Sequence, residues 1–357
     1  VNSAVIDRVA DERGKLSQVI DSLDELFRLH EVLRAARVQR GAIDLEIQEA
    51  GIILDENRRV KHILPRNRSD AHRIVEECMI LANVAVADKL CEEGIPFLSR
   101  IHAPPSKEKV AEFSAFLATR GISMDFDGTV NSASFAKMSR EMSKRESSGL
   151  LQTIMLRTLS RASYSPLVSG HFGLALPKYC HFTSPIRRYP DLMVHRALRS
   201  FIRGAKLDKW IDSPQVVGDR CSMTERRADE ANRDVMNWLK CNYMSDRVGE
   251  VFVGLVSGVT SFGLFVQIEN LLVDGLVHVS SLGDEYFDFD PVARRLVGEN
   301  TKTSFGLTDR VTVRVVRVNI DERQVVLELV FKRTKNPQRR RKRRYRAGGG
   351  NYLKRGR

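Results

Sequence analysis

Apolar positions along this 357-residue chain keep a helical period through its first two thirds and alternate thereafter. Leu16, Ile20, Leu23, Phe27, His30 and Leu33 recur every three or four residues, predicting a helix that ends near Gly41. The next stretch, IDLEIQEAGIILDENRRV, changes rhythm: Ile43, Leu45 and Ile47, then Ile52 to Leu54, predict short strands. Ser69 offers an N-cap for a long helix ending at Gly94, with Val75, Met79, Ala82, Val86 and Leu90 as its expected buried stripe. A helical region follows Pro104 and Pro105 to about Arg161, and GHFGLAL reads as a short strand. A charged helix from Glu225 is expected to bury Ala228, Ala231, Val235, Trp238 and Leu239.

Near Asp246 to Val248 the period falls to two. VFVGLVSGVTSFGLFVQIENLLVDGLVHVSSL alternates Val, Leu and Phe, punctuated by Gly258, Gly263 and Gly275. After an irregular insertion, DRVTVRVVRVNIDERQVVLELV supplies two more strands. Five short strands in about 85 residues suit a small closed barrel of the oligonucleotide-binding (OB) kind. The fold class is therefore α+β: a mixed body over residues 1–245, a five-stranded OB barrel over 246–331, and a tail from 332 to 357.

One segment fits neither period. HFTSPIRRYPDLMVHRAL, His181 to Leu198, places two prolines among three arginines, two histidines and one acid. Ser184 and Pro185 read as an N-cap followed by proline at the first helical position, and Pro190 as the start of a second helix. Arg187 and Arg188 would then lie between two helix starts, where backbone N–H groups favour an anion and a guanidinium can grip phosphate bidentately. Asp191 and His195, four apart on one face, are expected to pair and hold the segment's shape.

Composition narrows the setting. Hydrophobic residues make up 42% of the chain, enough to bury a large core, and no apolar run is long enough to span a bilayer. Five scattered cysteines with no CxxC spacing argue for reduced thiols in a cytoplasmic protein, each a small core residue, and against a zinc site. The tail from residue 331 onward holds thirteen Lys and Arg and no acid, which accounts for the whole net charge of +13. Such a tail is expected to be disordered and to attract phosphate without regard to sequence, on the ribosome or on other RNA. The chain opens on Val1 directly in a helical pattern, and the expectation is a piece of a longer gene product.

Two resemblances give these features a context. GEVFVGLVSGV, SFGLFV, DGLVHVSSL and the closing DRVTVRVVRVNIDERQVVLEL resemble the S1-type OB fold of RNA-binding proteins. In that family aromatic side chains on adjacent strands stack unpaired bases, which by position would be Phe262, Phe265 and His278 here. Stacking of this kind tolerates any sequence because every base has a π face. Phe262 and Phe265 are three apart and cannot both point outward from one regular strand; either a bend at Gly263 reconciles them or they are core residues.

HFGLAL, YCHFTSPIRRYPDLMVHRAL, IVEECMILAN and CSMTERRADEANRDVMNWLK, in this order before an S1-type barrel, resemble the ribonuclease II/ribonuclease R exonuclease family, the ribonuclease R branch in particular. The resemblance covers essentially all of residues 1–331 and implies the C-terminal part of its RNB catalytic domain. It implies processive 3′→5′ hydrolysis of single-stranded RNA ends to 5′-nucleotides, assisted by Mg²⁺, by a monomer. It also implies that Arg187 positions the scissile phosphate, with Arg188 and Tyr189 beside it. Ser184, Asp191 and His195 would support the segment, and a glutamate of the preceding helix, Glu77 or Glu76, would line the site. The family's metal-holding aspartate cluster has no counterpart here, so no metal ligand is assigned. The acidic pairs Asp125/Asp127 and Asp288/Asp290 fall outside the family's motif and read as solvated loops. The isolated chain is therefore expected to bind RNA with little hydrolysis and to expose apolar surface where a missing half would pack. The alternatives are a non-catalytic RNA-binding protein of the same fold and one half of a split enzyme.

Overall fold

The computed structural model describes residues 1–330 apart from 67, 124–129, 146 and 206–212. The tail, and the loop with Asp125 and Asp127, lie outside the described residues.

The body begins with α1 (Ala10–Lys15) and α2 (Ile20–Gln39), which ends beside Gly41 as its pattern predicts. Ile43 to Ile47 form no strand. Their backbone is satisfied elsewhere: the Ile43 N–H donates to the Gly173 carbonyl at 2.8 Å and the Glu46 N–H to the Gln152 side chain at 2.5 Å. The alternation becomes a hairpin only at β1 (Glu49–Leu54) and β2 (Val60–Arg66), turned by Asp55, whose carboxylate accepts the Asn57 and Arg59 N–H groups at 2.9 and 2.8 Å.

Helix α3 (Asp70–Glu92) starts after Ser69 and ends with Gly94 in the left-handed region (φ +64°), the Ile95 N–H reaching back to the Leu90 carbonyl at 2.9 Å. Its buried face differs from the expected stripe. Ile74, Glu77, Ile80, Asn83, Ala87 and Leu90 are buried, whereas Val75 and Met79 are exposed. Two polar residues occupy the inner face because each has a buried partner there: Glu77 bonds Arg37 of α2, and Asn83 bonds Tyr179 and Phe182.

Strand β3 (Ser99–Ile101) pairs with β4 (Ser163–Ser165), and between them α4 (Lys107–Ala118), α5 (Ser132–Ser143) and α6 (Ser148–Thr158) enclose a core of Phe113, Phe116, Phe135, Met142 and Met155. GHFGLAL is a 3₁₀ turn over Phe172–Leu174 and not a strand; the His171 ring accepts the Leu174 N–H at 3.2 Å and closes it. Helix α7 (Tyr189–Ile202) carries Pro190 in its first turn, and α8 (Pro214–Ser245) runs on to the barrel.

The expected buried face of α8 is also corrected. Gly218 and Ser222 pack on β4, so tightly that a Cβ at Gly218 would sit 2.8 Å from the Tyr164 carbonyl. Cys241 and Met244 join the barrel core, while Ala228, Ala231, Val235 and Trp238 between them are exposed. The helix is anchored at its two ends and open along its middle. All five cysteines are free: Cys180 and Cys241 are buried, and Cys78, Cys91 and Cys221 half-buried.

Strands β5 (Val251–Thr260), β6 (Gly263–Ile268) and β7 (Val273–His278) form an antiparallel meander. The three-stranded sheet of β8 (Phe287–Asp290), β9 (Arg295–Gly298) and β10 (Ser304–Gly306) follows. Strands β11 (Arg310–Asn319) and β12 (Gln324–Leu329) then close a five-stranded barrel in the order β11-β12-β7-β6-β5, with β12 parallel to β7 and β11 returning to β5. Leu264, Val266 and Ile268 point inward with Val277, Val313, Val315 and Leu327, as strict alternation requires. The expected irregular insertion is thus a small sheet, with Asp288 and Asp290 in β8; Asp290 accepts the N–H groups of Val292 and Ala293 and is a turn-forming residue.

Among the described residues no helix is long and apolar enough to cross a membrane.

Candidate nucleic-acid interface

The segment 181–191 is a rigid turn mounted on α3 and α7. Asn83 of α3 supports it from below: its amide donates to the Tyr179 hydroxyl at 2.9 Å and its carbonyl oxygen accepts the Phe182 N–H at 2.9 Å. The Phe182 carbonyl takes the His195 Nε2 hydrogen at 2.9 Å, and the two rings stack with centroids 4.2 Å apart. Ser184 to Arg188 then close a single turn through the Ser184 carbonyl, which accepts the Arg187 and Arg188 N–H groups at 3.3 and 3.1 Å.

Asp191 locks this turn. Its side chain is 0% exposed, and one oxygen accepts both the Ser184 N–H and an Arg188 guanidinium hydrogen at 2.8 Å. A charge-assisted bond inside such a shell holds geometry far better than a surface pair. Ser184 and Pro185 therefore start a turn, not a helix, and the N-cap of α7 is Arg188. Asp191 and His195 do not pair, because the helix directs the carboxylate to Ser184 and the ring to Phe182.

The two arginines separate. Arg188 is half-buried and committed to Asp191. Arg187 is exposed beside fully exposed Ile186 and half-exposed Tyr189, and among the described residues its side chain has no hydrogen-bond or ion-pair partner. The arrangement can present one free guanidinium, with fixed backbone, to an anion arriving from solvent.

Glu77 and Glu76 point to a different neighbour. Glu77 is buried and accepts from Arg37 of α2 at 2.7 Å; Glu76 bonds Arg37 at 3.2 Å and also Arg68. No hydrogen bond or ion pair joins either glutamate to the turn, and together with Arg37 they bind α2 to α3.

Behind the turn lies a polar layer that periodicity did not reveal. Arg100 of β3 makes a two-pronged contact with Glu225 of α8 at 2.6 and 3.1 Å and lies over the Tyr164 ring. Burial pushes the Tyr164 hydroxyl up to about 12 and the His181 imidazole down to about 2, with Arg188 and Arg100 adding to the latter. The Tyr164 hydroxyl and the neutral His181 imidazole therefore share a hydrogen bond through Nδ1 at 2.9 Å. Burial likewise brings His171 down to about 3. Asn83 left one trace in the sequence: a lone amide on the same helical face as Ile80 and Ala87.

On the barrel, Phe262 lies in the turn before β6, so strand alternation does not govern it. Phe262 and Phe265 are 48% and 36% exposed, and their rings meet edge to face with centroids 6.1 Å apart. Gly263 makes this possible, since a Cβ there would run into the Val277 carbonyl. His278 pairs across from Gly263 and is exposed, its Nδ1 held by Ser280 at 2.8 Å. The three rings thus share one outward corner of the barrel.

The resemblance implies Mg²⁺, yet the described residues do not fit it. Glu76, Glu77 and Asp191 are engaged by arginines, Asp290 by backbone N–H groups, and among the described residues no three His, Cys, Asp or Glu side chains gather as a cation site.

Comparison with known proteins places this geometry. The RNB domain family matches residues 2–204, and the S1 RNA binding domain family matches residues 245–329. Ribonuclease R of Vibrio parahaemolyticus is 42% identical over 340 residues, covering 92% of this chain and 41% of that protein. Ribonuclease R of Escherichia coli K12 is 43% identical over 331 residues, covering 90% and 41%. The structure of Mycoplasma genitalium RNase R in complex with ribose methylated single-stranded RNA superposes with a TM-score of 0.83 at 30% identity, covering 88% of this chain and 50% of that one. The chain therefore spans about two fifths of the length of the curated relatives it matches. With both domains present in order, the chain belongs to the RNB family as a ribonuclease R-type member with an S1 domain.

Proposed function

We propose that this chain supplies the RNA-gripping part of a 3′→5′ exoribonuclease that releases 5′-nucleotides processively. The carrying observation is the free Arg187 on a turn locked by buried Asp191. A guanidinium in that position can hold the phosphate of a terminal linkage bidentately without rearrangement, because the turn is already closed. Phe262, Phe265 and His278 would stack the bases of the incoming single strand. RNA as the partner is supported by the ribonuclease R relatives, one of which is seen with single-stranded and another time with double-stranded RNA.

Roles divide along the chain: residues 1–245 hold the terminal phosphate, 246–331 feed the strand, and 332–357 attract RNA through charge. When bound, Mg²⁺ in this family would supply charge neutralisation and an activated water, but its carboxylate ligands are not found among the described residues. We therefore assign binding to this chain by itself and cutting to a longer assembly. Val75, Met79 and Leu81 of α3, Leu192 and Ile202 of α7, and Trp238 of α8 are exposed apolar side chains that such an assembly would cover.

The test is direct. The pure chain is incubated with Mg²⁺ and single-stranded RNA labelled at its 5′ end. Retention of full-length RNA in a tight complex is expected; stepwise shortening would show that the chain cuts by itself, and absence of binding would remove the RNA reading.

A further inference from the structure

Between the barrel and the body lies an open groove of about 1340 Å³ that the roles above leave unused. Its walls are the β5–β6–β7 face of the barrel on one side and, on the other, residues 45–48 of the body with Arg66, Arg68, Arg73, Arg145 and the exposed side of α6. Six arginines and three carboxylates line it. Each carboxylate already has a partner: Glu46 is held by Arg73 at 2.8 Å, Glu269 by Arg310 at 2.8 Å, and Asp274 by the Ser257 hydroxyl at 2.9 Å. Arg68 is engaged by Glu76 and Asp44. Arg66, Arg145 and Arg157 remain exposed, and their side chains have no hydrogen-bond or ion-pair partner among the described residues.

The barrel's register joins this groove to the aromatic corner. Leu264, Val266 and Ile268 of β6 point into the core, so Phe265 and Gln267 share the outer face. Gln267 lines the groove, as do Leu255 and Asp274, which pair with it on either side. Two residues of strand separate Phe265 from the groove, about 7 Å at the usual rise. An aromatic platform that opens onto unpaired guanidinium groups matches one polymer: a single strand with stacking bases on one edge and phosphates on the other.

We propose that the groove carries the sugar-phosphate backbone of the strand whose bases stack on Phe262, Phe265 and His278, with Arg66, Arg145 and Arg157 as its phosphate contacts. The proposal rests on the RNA reading above and adds the path of the strand across the barrel–body junction.

The test measures binding of the full chain to a labelled single-stranded oligouridylate across a salt series. Wild type is compared with R66Q/R145Q/R157Q, with the charge-preserving R66K/R145K/R157K, and with F265A/H278A. The basic tail is common to all four, so differences isolate the groove. The glutamine triple is expected to weaken binding about tenfold or more near 0.1 M salt and to lower the slope of log K against log salt by about 2, at roughly 0.7 per phosphate contact. The lysine triple should keep the wild-type slope, and an unchanged melting temperature for both triples would confirm that they fold. An unchanged slope and affinity in the glutamine triple, with binding lost in F265A/H278A, would overturn the groove and leave the RNA reading standing. No binding by wild type would overturn the RNA reading itself. Arginine-dependent binding of polyglutamate in place of RNA would overturn the proposal in favour of an acidic protein partner.

Discussion

The barrel and the helical body solve the burial problem differently. The barrel closes on itself: every strand has two neighbours, and one continuous core runs from Val256 through Leu264 and Val266 to Leu327. The body has separate cores, a larger one among α4, α5 and α6 and a small one of Ala87, Leu90, Phe97, Cys180, Val194 and Ala197 beside the 181–191 turn. Its remaining cohesion is polar and buried, through Arg37 with Glu77, Asn83 with Phe182, and Asp191 with Arg188. Closure by hydrogen-bonded strands leaves the rings of Phe262, Phe265 and His278 on the outer surface of the barrel. The body instead uses its interior to fix one loop, and leaves apolar faces of α3, α7 and α8 uncovered.

Acid should separate the two regions most strongly. Burial lowers the affinity of His30, His102, His171 and His181 for a proton, and all four lie in the body, whereas the barrel's histidine, His278, is exposed. Below the ordinary histidine value of 6.5 the unfolded chain takes up protons that the folded body refuses, so stability present above that pH is lost as pH falls toward the folded values of about 3 and 2 for His171 and His181. Each group contributes about 1.4 kcal/mol per pH unit inside that window, roughly 5 kcal/mol for the pair across two units. Urea unfolding followed by helical circular dichroism at several pH values checks this. A barrel that melts with the body at the same pH would erase the distinction.

Removing the lock comes next. Asp191→Ala leaves the Ser184 N–H and Arg188 without their shared acceptor inside the body and should cost about 3–5 kcal/mol in unfolding free energy, as broken buried pairs do. Phe265→Ala tests the other region: single-stranded RNA affinity should fall by roughly 1–3 kcal/mol with little change in melting temperature. Arg187→Ala should show the smallest structural effect, within about 0.5 kcal/mol of wild-type stability because its side chain is exposed and has no hydrogen-bond or ion-pair partner among the described residues, while RNA affinity drops. A large stability loss in that variant would mean that Arg187 holds the turn and does not wait for a phosphate.

The legibility of the two regions differs for the same reason. Barrel strands announce themselves, because alternation at period two places Leu264, Val266 and Ile268 inside whatever surrounds them. In the body, apolar residues occupy several faces of α3 and α8, and periodicity selected Val75, Met79, Val235 and Trp238, which are exposed. The face that is buried on α3 includes Glu77 and Asn83, residues that hydropathy assigns to solvent. Asp191 was legible as a support of the turn, but its partner was assigned by helical spacing to His195 when the carboxylate reaches Ser184 and Arg188.

By itself, the sequence determined the long helices, the OB barrel, the family and the place of the 181–191 turn. These depend on local period, on turn residues and on motifs, all of which act over a few positions. Tertiary structure alone decided which arginine stays free, which glutamate is buried, and that the aromatic corner opens onto a basic groove. Those outcomes depend on segments more than a hundred residues apart meeting in space, as Arg100 meets Glu225 and as the barrel's Gln267 and the body's Arg145 line one groove. No local pattern encodes such a meeting, because the energy that selects it appears only when both partners are desolvated together.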